Sequence, residues 1–170
     1  MQKIARFEKV STSQFLDGMS DFKNQYTKEE TLNLYEKIQL PKRATVHSAG
    51  YDFCSPFTFE LKPGETIKIP TGIRAFMEDG WVLKLYPRSG LGFKFRLQLN
   101  NTVGIIDGDY YYSDNEGHIF AKVTNDSNEN KVLNVEAGTG FMQGIFVEYG
   151  ITMDDQTDGV RNGGFGSTGK

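Results

Sequence analysis

An all-β body carrying a short helical segment at its N-terminal end is the architecture this sequence predicts, on three observations. From Leu40 onward, short apolar stretches alternate with a period of two and are separated by turn residues. Helical spacing of apolar residues is confined to the first third of the chain. Helix-crossover units are absent, which argues against a parallel α/β sheet.

In order along the chain, Phe15, Met19 and Phe22 recur at helical spacing. Thr27-Lys28-Glu29-Glu30 then has the form of a capping box ahead of Leu32, Tyr35 and Ile38, so two short helices are expected before about residue 38. Phe57, Phe59 and Leu61, then Ile67 and Ile69, read as strands bounded by Lys62-Pro63-Gly64-Glu65, Glu78-Asp79-Gly80 and Asn125-Asp126-Ser127-Asn128. Phe93, Phe95, Leu97 and Leu99 continue the same alternation and predict one strand, and Ile145-Phe146-Val147 predicts a short, fully apolar one. The chain's 170 residues, 38% of them hydrophobic, suffice for one packed core. Residues 1–37 are expected to pack as a helical segment on a β domain spanning 38–160, with 161–170 as a flexible glycine-rich end.

The formal net charge is −3, so no basic field covers the chain and a nucleic-acid partner is disfavoured. Met1-Gln2-Lys3-Ile4-Ala5-Arg6-Phe7 lacks a signal core, and no apolar run approaches the roughly 20 residues of a membrane span. Cys54 is the single cysteine, which rules out an intrachain disulfide and suits a reducing compartment. A cytoplasmic protein without a membrane partner is expected. Cys54 reads as buried and inert, and His47 and His118, which lack zinc-ligand spacing, as surface or packing residues.

The end of the chain, Arg161-Asn162-Gly163-Gly164-Phe165-Gly166-Ser167-Thr168-Gly169, combines residue types that suit a nucleotide. Glycines let successive N–H groups converge on an anion, Ser167 and Thr168 add hydroxyl donors, and Arg161 offers a bidentate fork for phosphate. Phe165 can stack on a flat base. The same composition also fits an ordinary frayed terminus.

With four other segments in order, this tail resembles the trimeric dUTP diphosphatase (dUTPase) family. The others are Ala49-Gly50-Tyr51-Asp52-Phe53, Pro87-Arg88-Ser89-Gly90-Leu91-Gly92, Asn101-Thr102-Val103-Gly104-Ile105-Ile106-Asp107-Gly108-Asp109-Tyr110, and Gly140-Phe141-Met142-Gln143. The resemblance covers roughly residues 38–170. It implies a distorted jelly-roll, β-barrel-like subunit in a homotrimer with shared active sites, hydrolysing dUTP to dUMP and pyrophosphate with Mg2+. It makes Asp107 the carboxylate that activates the attacking water, where the residues alone read as a turn aspartate closing a hairpin. Asn101 and the main chain from Gly104 to Ile106 become the uracil-reading hairpin, and Tyr110 the ring against the deoxyribose, where an ordinary strand tyrosine is the other reading. Arg88, Ser89 and Gly90, otherwise a turn, and Gln143, otherwise a solvated position, become phosphate contacts. Asp52 helps hold magnesium through water, and Arg161, Phe165, Gly166, Ser167 and Thr168 belong to a lid.

Three departures from the family pattern stand out. Residues 111–116, Tyr111-Tyr112-Ser113-Asp114-Asn115-Glu116, intervene before Gly117; Gly140 stands where an arginine is common; and one residue fewer separates Arg161 from Gly-Gly-Phe. The insertion reads either as padding or as an exposed aromatic anchor for a partner such as a repressor protein, which some phage-encoded members of the family bind. Two other functions share the fold: dCTP deamination and catalytically idle regulatory binding.

Overall fold

The computed structural model describes residues 2–161. The N-terminal segment begins with a strand, β1 (Ala5–Lys9), followed by α1 (Thr12–Gly18), a 3-10 turn (Met19–Phe22) and α2 (Lys28–Lys37). Both helices start on side-chain caps. Ser11 accepts from the Gln14 N–H at 3.2 Å, and the Thr27–Glu30 capping box closes as the sequence predicts, with the Thr27 N–H donating to the Glu30 carboxylate at 2.7 Å.

The strand β1 is not predicted by the sequence, since Ala5-Arg6-Phe7-Glu8-Lys9 shows no alternation strong enough to declare itself. It is templated by β6 (Ile73–Met77), with Phe7 opposite Ala75. Its Phe7 ring then packs 5.5 Å from those of Phe53 and Phe146.

The β body comprises β2 (Lys42–Arg43), β3 (Tyr51–Cys54), β4 (Phe59–Leu61), β5 (Thr66–Pro70), β7 (Trp81–Pro87), β8 (Leu97–Leu99), β9 (Gly104–Ile106), β10 (Phe120–Asn125), β11 (Leu133–Val135) and β12 (Gly140–Glu148), besides β6. They form sheets of order β2-β3-β12-β7-β9, β5-β10-β8, β11-β4 and β1-β6, and every pairing among the described residues is antiparallel. This jelly-roll encloses a core into which Val10, Phe15, Met19 and Phe22 of the N-terminal segment enter beside Phe53, Phe57, Ile69, Leu83 and Phe141. The helical segment is therefore part of the core's packing.

Three strand expectations are corrected. Residues Ser89–Phe95 form a helix, α3, and only Leu97–Leu99 are a strand; Phe93 is 93% exposed. The period of two breaks because the chain here leaves the sheet of β7 for that of β8, and Arg96, at φ 50°, ends the helix that makes the crossing. The stretch before Gly108 is not an arm of a local hairpin: β9 pairs with β7, and β8 pairs with β10. Ile145, Phe146 and Val147 lie near the end of a nine-residue strand, longer than the short one expected, and are half-buried.

Candidate active site

The sequence-predicted residues within the described range fall on two rims of the molecule. On the first, β9 ends at Ile106, and Asp107 stands as the residue before a 3-10 helix (Gly108–Tyr112). Asp107 and Asp109 both receive Arg161, whose Nη2 lies 2.5 Å from Asp107 Oδ2 and whose Nε lies 2.8 Å from Asp109 Oδ1. The Arg161 side chain is only 14% exposed, while Asp107 keeps 48% of its side chain open. The fork that suits a phosphate is thus engaged by two carboxylates, and Asp109 is a partner that no sequence signal marks. The pair lies on a cavity of about 800 Å3 lined also by Trp81, Tyr112 and Tyr149.

Tyr110 sits in the 3-10 helix, not in a strand, and is buried. Its phenol donates to the His118 carbonyl at 2.7 Å and accepts from Asn115 Nδ2 at 2.9 Å. Burial pushes its phenol pKa up. Asn101, Gly104 and Ile106 line a cavity of about 380 Å3 with Leu85, Leu99 and Phe120. The Ile106 side chain is buried in the core, so its contribution to this cavity's chemistry is its main chain. Gly104 packs on β7 so closely that a Cβ would lie 3.0 Å from that of Leu85.

On the second rim, Asp52 of β3 lies opposite Gln143 of β12. Arg88, just before α3, places Nε 3.2 Å from Asp52 Oδ1, and Gln143 Nε2 donates to the Pro87 carbonyl at 3.3 Å. Gly140 has a local reason: a Cβ there would lie 2.9 Å from Arg88 Nη1, so the arginine side chain lies over the glycine. Ser89 and Gly90 are exposed in the first turn of α3, and a Cβ on Gly90 would meet nothing within 4 Å. Packing does not require glycine at 90; a bare main chain there faces open space. Cys54 is half-buried, and burial raises its thiol pKa, consistent with an inert side chain.

Asp107 continues β9 one residue past Ile106, which pairs with Leu83, whereas Gln143 pairs with Tyr86 of the same strand β7. The two rims are therefore separated by about four residues along β7 and by a strand spacing on either side, roughly 15 Å.

The insertion is not an exposed aromatic cluster. The Tyr111 phenol donates to the Glu8 carboxylate at 2.6 Å, its ring lies under the Arg74 guanidinium at 3.6 Å, and only Tyr112 is largely exposed, at 71%. Tyr111 turns inward because β1 supplies an acceptor that sequence proximity does not reveal. His118 is buried and packs, and His47 is exposed. Burial pushes the His118 pKa down to about 4, and its Nε2 accepts from the Gly72 N–H at 2.9 Å. Phe165, Gly166, Ser167 and Thr168 lie outside the described residues.

A dUTPase family model matches residues 36–169. The deoxyuridine 5'-triphosphate nucleotidohydrolase of Lactococcus lactis is 46% identical over 135 residues, covering 78% of this chain and 89% of the relative. That of Haemophilus influenzae is 38% identical over 142 residues, covering 79% and 89%. Among solved structures, the dUTPase from Streptococcus mutans superposes with a TM-score of 0.62 at 39% identity, over 86% of this chain and 97% of that one. The Staphylococcus bacteriophage 80alpha dUTPase shares the fold with a TM-score of 0.61 at 19% identity, over 93% of this chain and 98% of that one. The antiparallel body, the five ordered segments and these relatives agree: the chain belongs to the dUTPase family.

Proposed function

We propose that Asp107 is the general base of the dUTP hydrolysis this dUTPase performs, and that the site is completed only between subunits of a homotrimer. The observation that supports the shared site is the separation of the rims. A base must stand within hydrogen-bond reach, about 3 Å, of the water it deprotonates. Asp107 cannot do so over an α-phosphate held by Gln143 some 15 Å away on its own subunit. A neighbouring subunit's rim, brought to the Asp107 rim, closes that distance.

The roles follow from the residue chemistry. Main-chain groups from Gly104 to Ile106, with Asn101, read the uracil edge, because a cytosine would leave buried donors and acceptors unpaired at about 1–3 kcal/mol each. The Tyr110 ring walls the deoxyribose. Arg88, Ser89, the Gly90 main chain and Gln143 hold the phosphate oxygens. Asp107 takes a proton from water as the water oxygen bonds to the α-phosphorus. The bond from that phosphorus to the α–β bridging oxygen breaks, and pyrophosphate leaves. Arg161 leaves Asp107 and Asp109 for the terminal phosphate, freeing the base, while Phe165, Gly166, Ser167 and Thr168 cover the nucleotide.

Magnesium fits this donor set in one way. Among the described residues no group of three or more His, Cys, Asp or Glu side chains could hold a metal ion, and the Asp52 carboxylate is already partnered by Arg88. That suits an ion carried by the triphosphate oxygens and its own waters, touched by Asp52 through water. It would supply charge neutralisation on the phosphates.

No helix among the described residues is long and apolar enough to cross a membrane, and nucleotide hydrolysis in the cytoplasm is the setting we assign. A second role, binding a repressor protein through the added segments, has the exposed Tyr112 ring as its support; loss of capture on deleting residues 111–116 would be its signature. The primary test is pyrophosphate release from dUTP with Mg2+, run beside dCTP, dTTP and UTP and beside Asp107→Asn. Release from dUTP alone, lost in the variant, is expected. Ammonia from dCTP would mean a deaminase, and no release from any nucleotide an idle binding protein.

A further inference from the structure

The loop that follows Asp107 is built around the phenol oxygen of Tyr110. That oxygen accepts from Asn115 Nδ2 at 2.9 Å and donates to the His118 carbonyl at 2.7 Å, while the Ser113 hydroxyl donates to the Tyr110 carbonyl. The ring's axis is thus held at its backbone end and at its oxygen end. Asn115 also fixes its own turn, its Oδ1 accepting from the Gly117 N–H at 3.2 Å. Both flanks of the loop are tied to the N-terminal segment. Tyr111 donates to Glu8 at 2.6 Å, and the Glu116 carboxylate accepts the Ser11 N–H and the Ser11 hydroxyl at 2.7 Å each. Ser11 is in turn the cap of α1. Glu8 and Ser11 lie outside the stretch 36–169 that the family model matches.

We propose that Asn115 is a positioning residue for the Tyr110 ring, and that Glu8 and Ser11 hold the loop that carries it, so that the N-terminal segment sets how strictly the site rejects a ribonucleotide. The inference rests on the reading of Tyr110 as the wall against the deoxyribose. A wall of this kind works by leaving no room for one added hydroxyl, and an apolar surface rejects such a group weakly unless it cannot yield. Two hydrogen bonds at the far end of the ring, in a loop clamped on both flanks, supply that stiffness.

The test is the ratio of kcat/KM for dUTP to kcat/KM for UTP, measured with Mg2+ on the full chain. Asn115→Asp keeps the acceptor for the Gly117 N–H and removes the donor to Tyr110. Glu116→Ala releases Ser11, and Glu116→Gln restores one acceptor. The ratio is expected to fall about tenfold in Asn115→Asp and Glu116→Ala, through a gain on UTP, and to recover largely in Glu116→Gln. A merely structural role would lower activity on both nucleotides alike and leave the ratio where it was; that result in folded variants overturns the proposal. Should Glu116→Ala fail to fold, Asn115→Asp decides. Tyr110→Ala separates the two readings. If it keeps the parental ratio, the assignment of Tyr110 to the sugar falls, and the inference with it. If it loses the ratio while Asn115→Asp keeps it, the positioning inference alone falls.

Discussion

At the rim around Asp107 the chain is tied by bonds between residues 103 and 105 apart, Tyr111 to Glu8 and Glu116 to Ser11, and the side chain they surround, Tyr110, is buried. At the rim around Arg88 the fixed points are neighbouring strands, and the side chains rest on one half-exposed ion pair to Asp52 and one long hydrogen bond from Gln143. The contrast fits the roles proposed for the two rims. A base and a sugar wall act by being in place before substrate arrives, which favours a clamped loop. Groups that follow a mobile, highly charged triphosphate gain from side chains that can adjust, and exposed ion pairs hold them only weakly, by about 0–1 kcal/mol.

Breaking each rim separately should therefore give different signatures. The largest effect is on turnover. Asp107→Asn is expected to lower kcat by about 10²–10⁴ with nucleotide binding retained, and Gln143→Ala to weaken binding and turnover together. If the rims meet between subunits, unfolding, mixing and refolding these two variants in equal amounts should restore roughly a quarter of wild-type sites. Mixed samples no more active than either variant alone would place both rims in one subunit's site.

The next effect is on acid stability and belongs to the clamped rim. The folded-state pKa of His118 lies at about 4 against an ordinary 6.5, so the unfolded chain binds the extra proton between those values. The stability that the neutral imidazole preserves is fully present above pH 6.5 and is lost as pH falls towards 4, a change on the order of 3 kcal/mol. His118→Gln, which keeps an acceptor for the Gly72 N–H and cannot titrate, should flatten urea midpoints across that window. An unchanged slope would remove His118 as the cause.

A smaller loss is expected from Gly117→Ala. Gly117 has φ +70°, and a Cβ there would lie 2.7 Å from Tyr111 Cα and 2.8 Å from the Tyr110 carbonyl oxygen, both backbone. A destabilisation of about 1–3 kcal/mol should appear as a lowered Tm. Tyr112→Ala, by contrast, removes an exposed ring and should change stability by less than about 0.5 kcal/mol. A large drop in Tm for Tyr112→Ala would show that the ring is covered in the assembled protein.

Much of the fold was legible where the cause is local. The capping box at Thr27, the turn residues and the alternation in β4 and β5 each depend on residues within a few positions of one another. Alternation misled at Phe93 and Phe95 because the chain changes sheets there, and a repeat of residue types carries no information about which sheet is within reach. The strand β1 was missed for the converse reason: its strand character comes from β6, which lies over sixty residues away.

For the site, residue type and order by themselves determined the chemistry on offer: a carboxylate after an apolar strand, a glycine-backed arginine, a tyrosine two residues beyond Asp109's neighbour Gly108, and a tail rich in donors. Only the tertiary structure decided which of these groups share a rim, that Arg161 engages Asp107 and Asp109, that Arg88 lies over Gly140, and that Tyr111 turns inward to Glu8 while Tyr112 stays outward. The physical reason is range. Backbone preference, capping and turn chemistry act over a few residues and are written in the local sequence, whereas an ion pair or a buried hydrogen bond forms between whatever side chains the packed core brings within about 3 Å, at any separation along the chain.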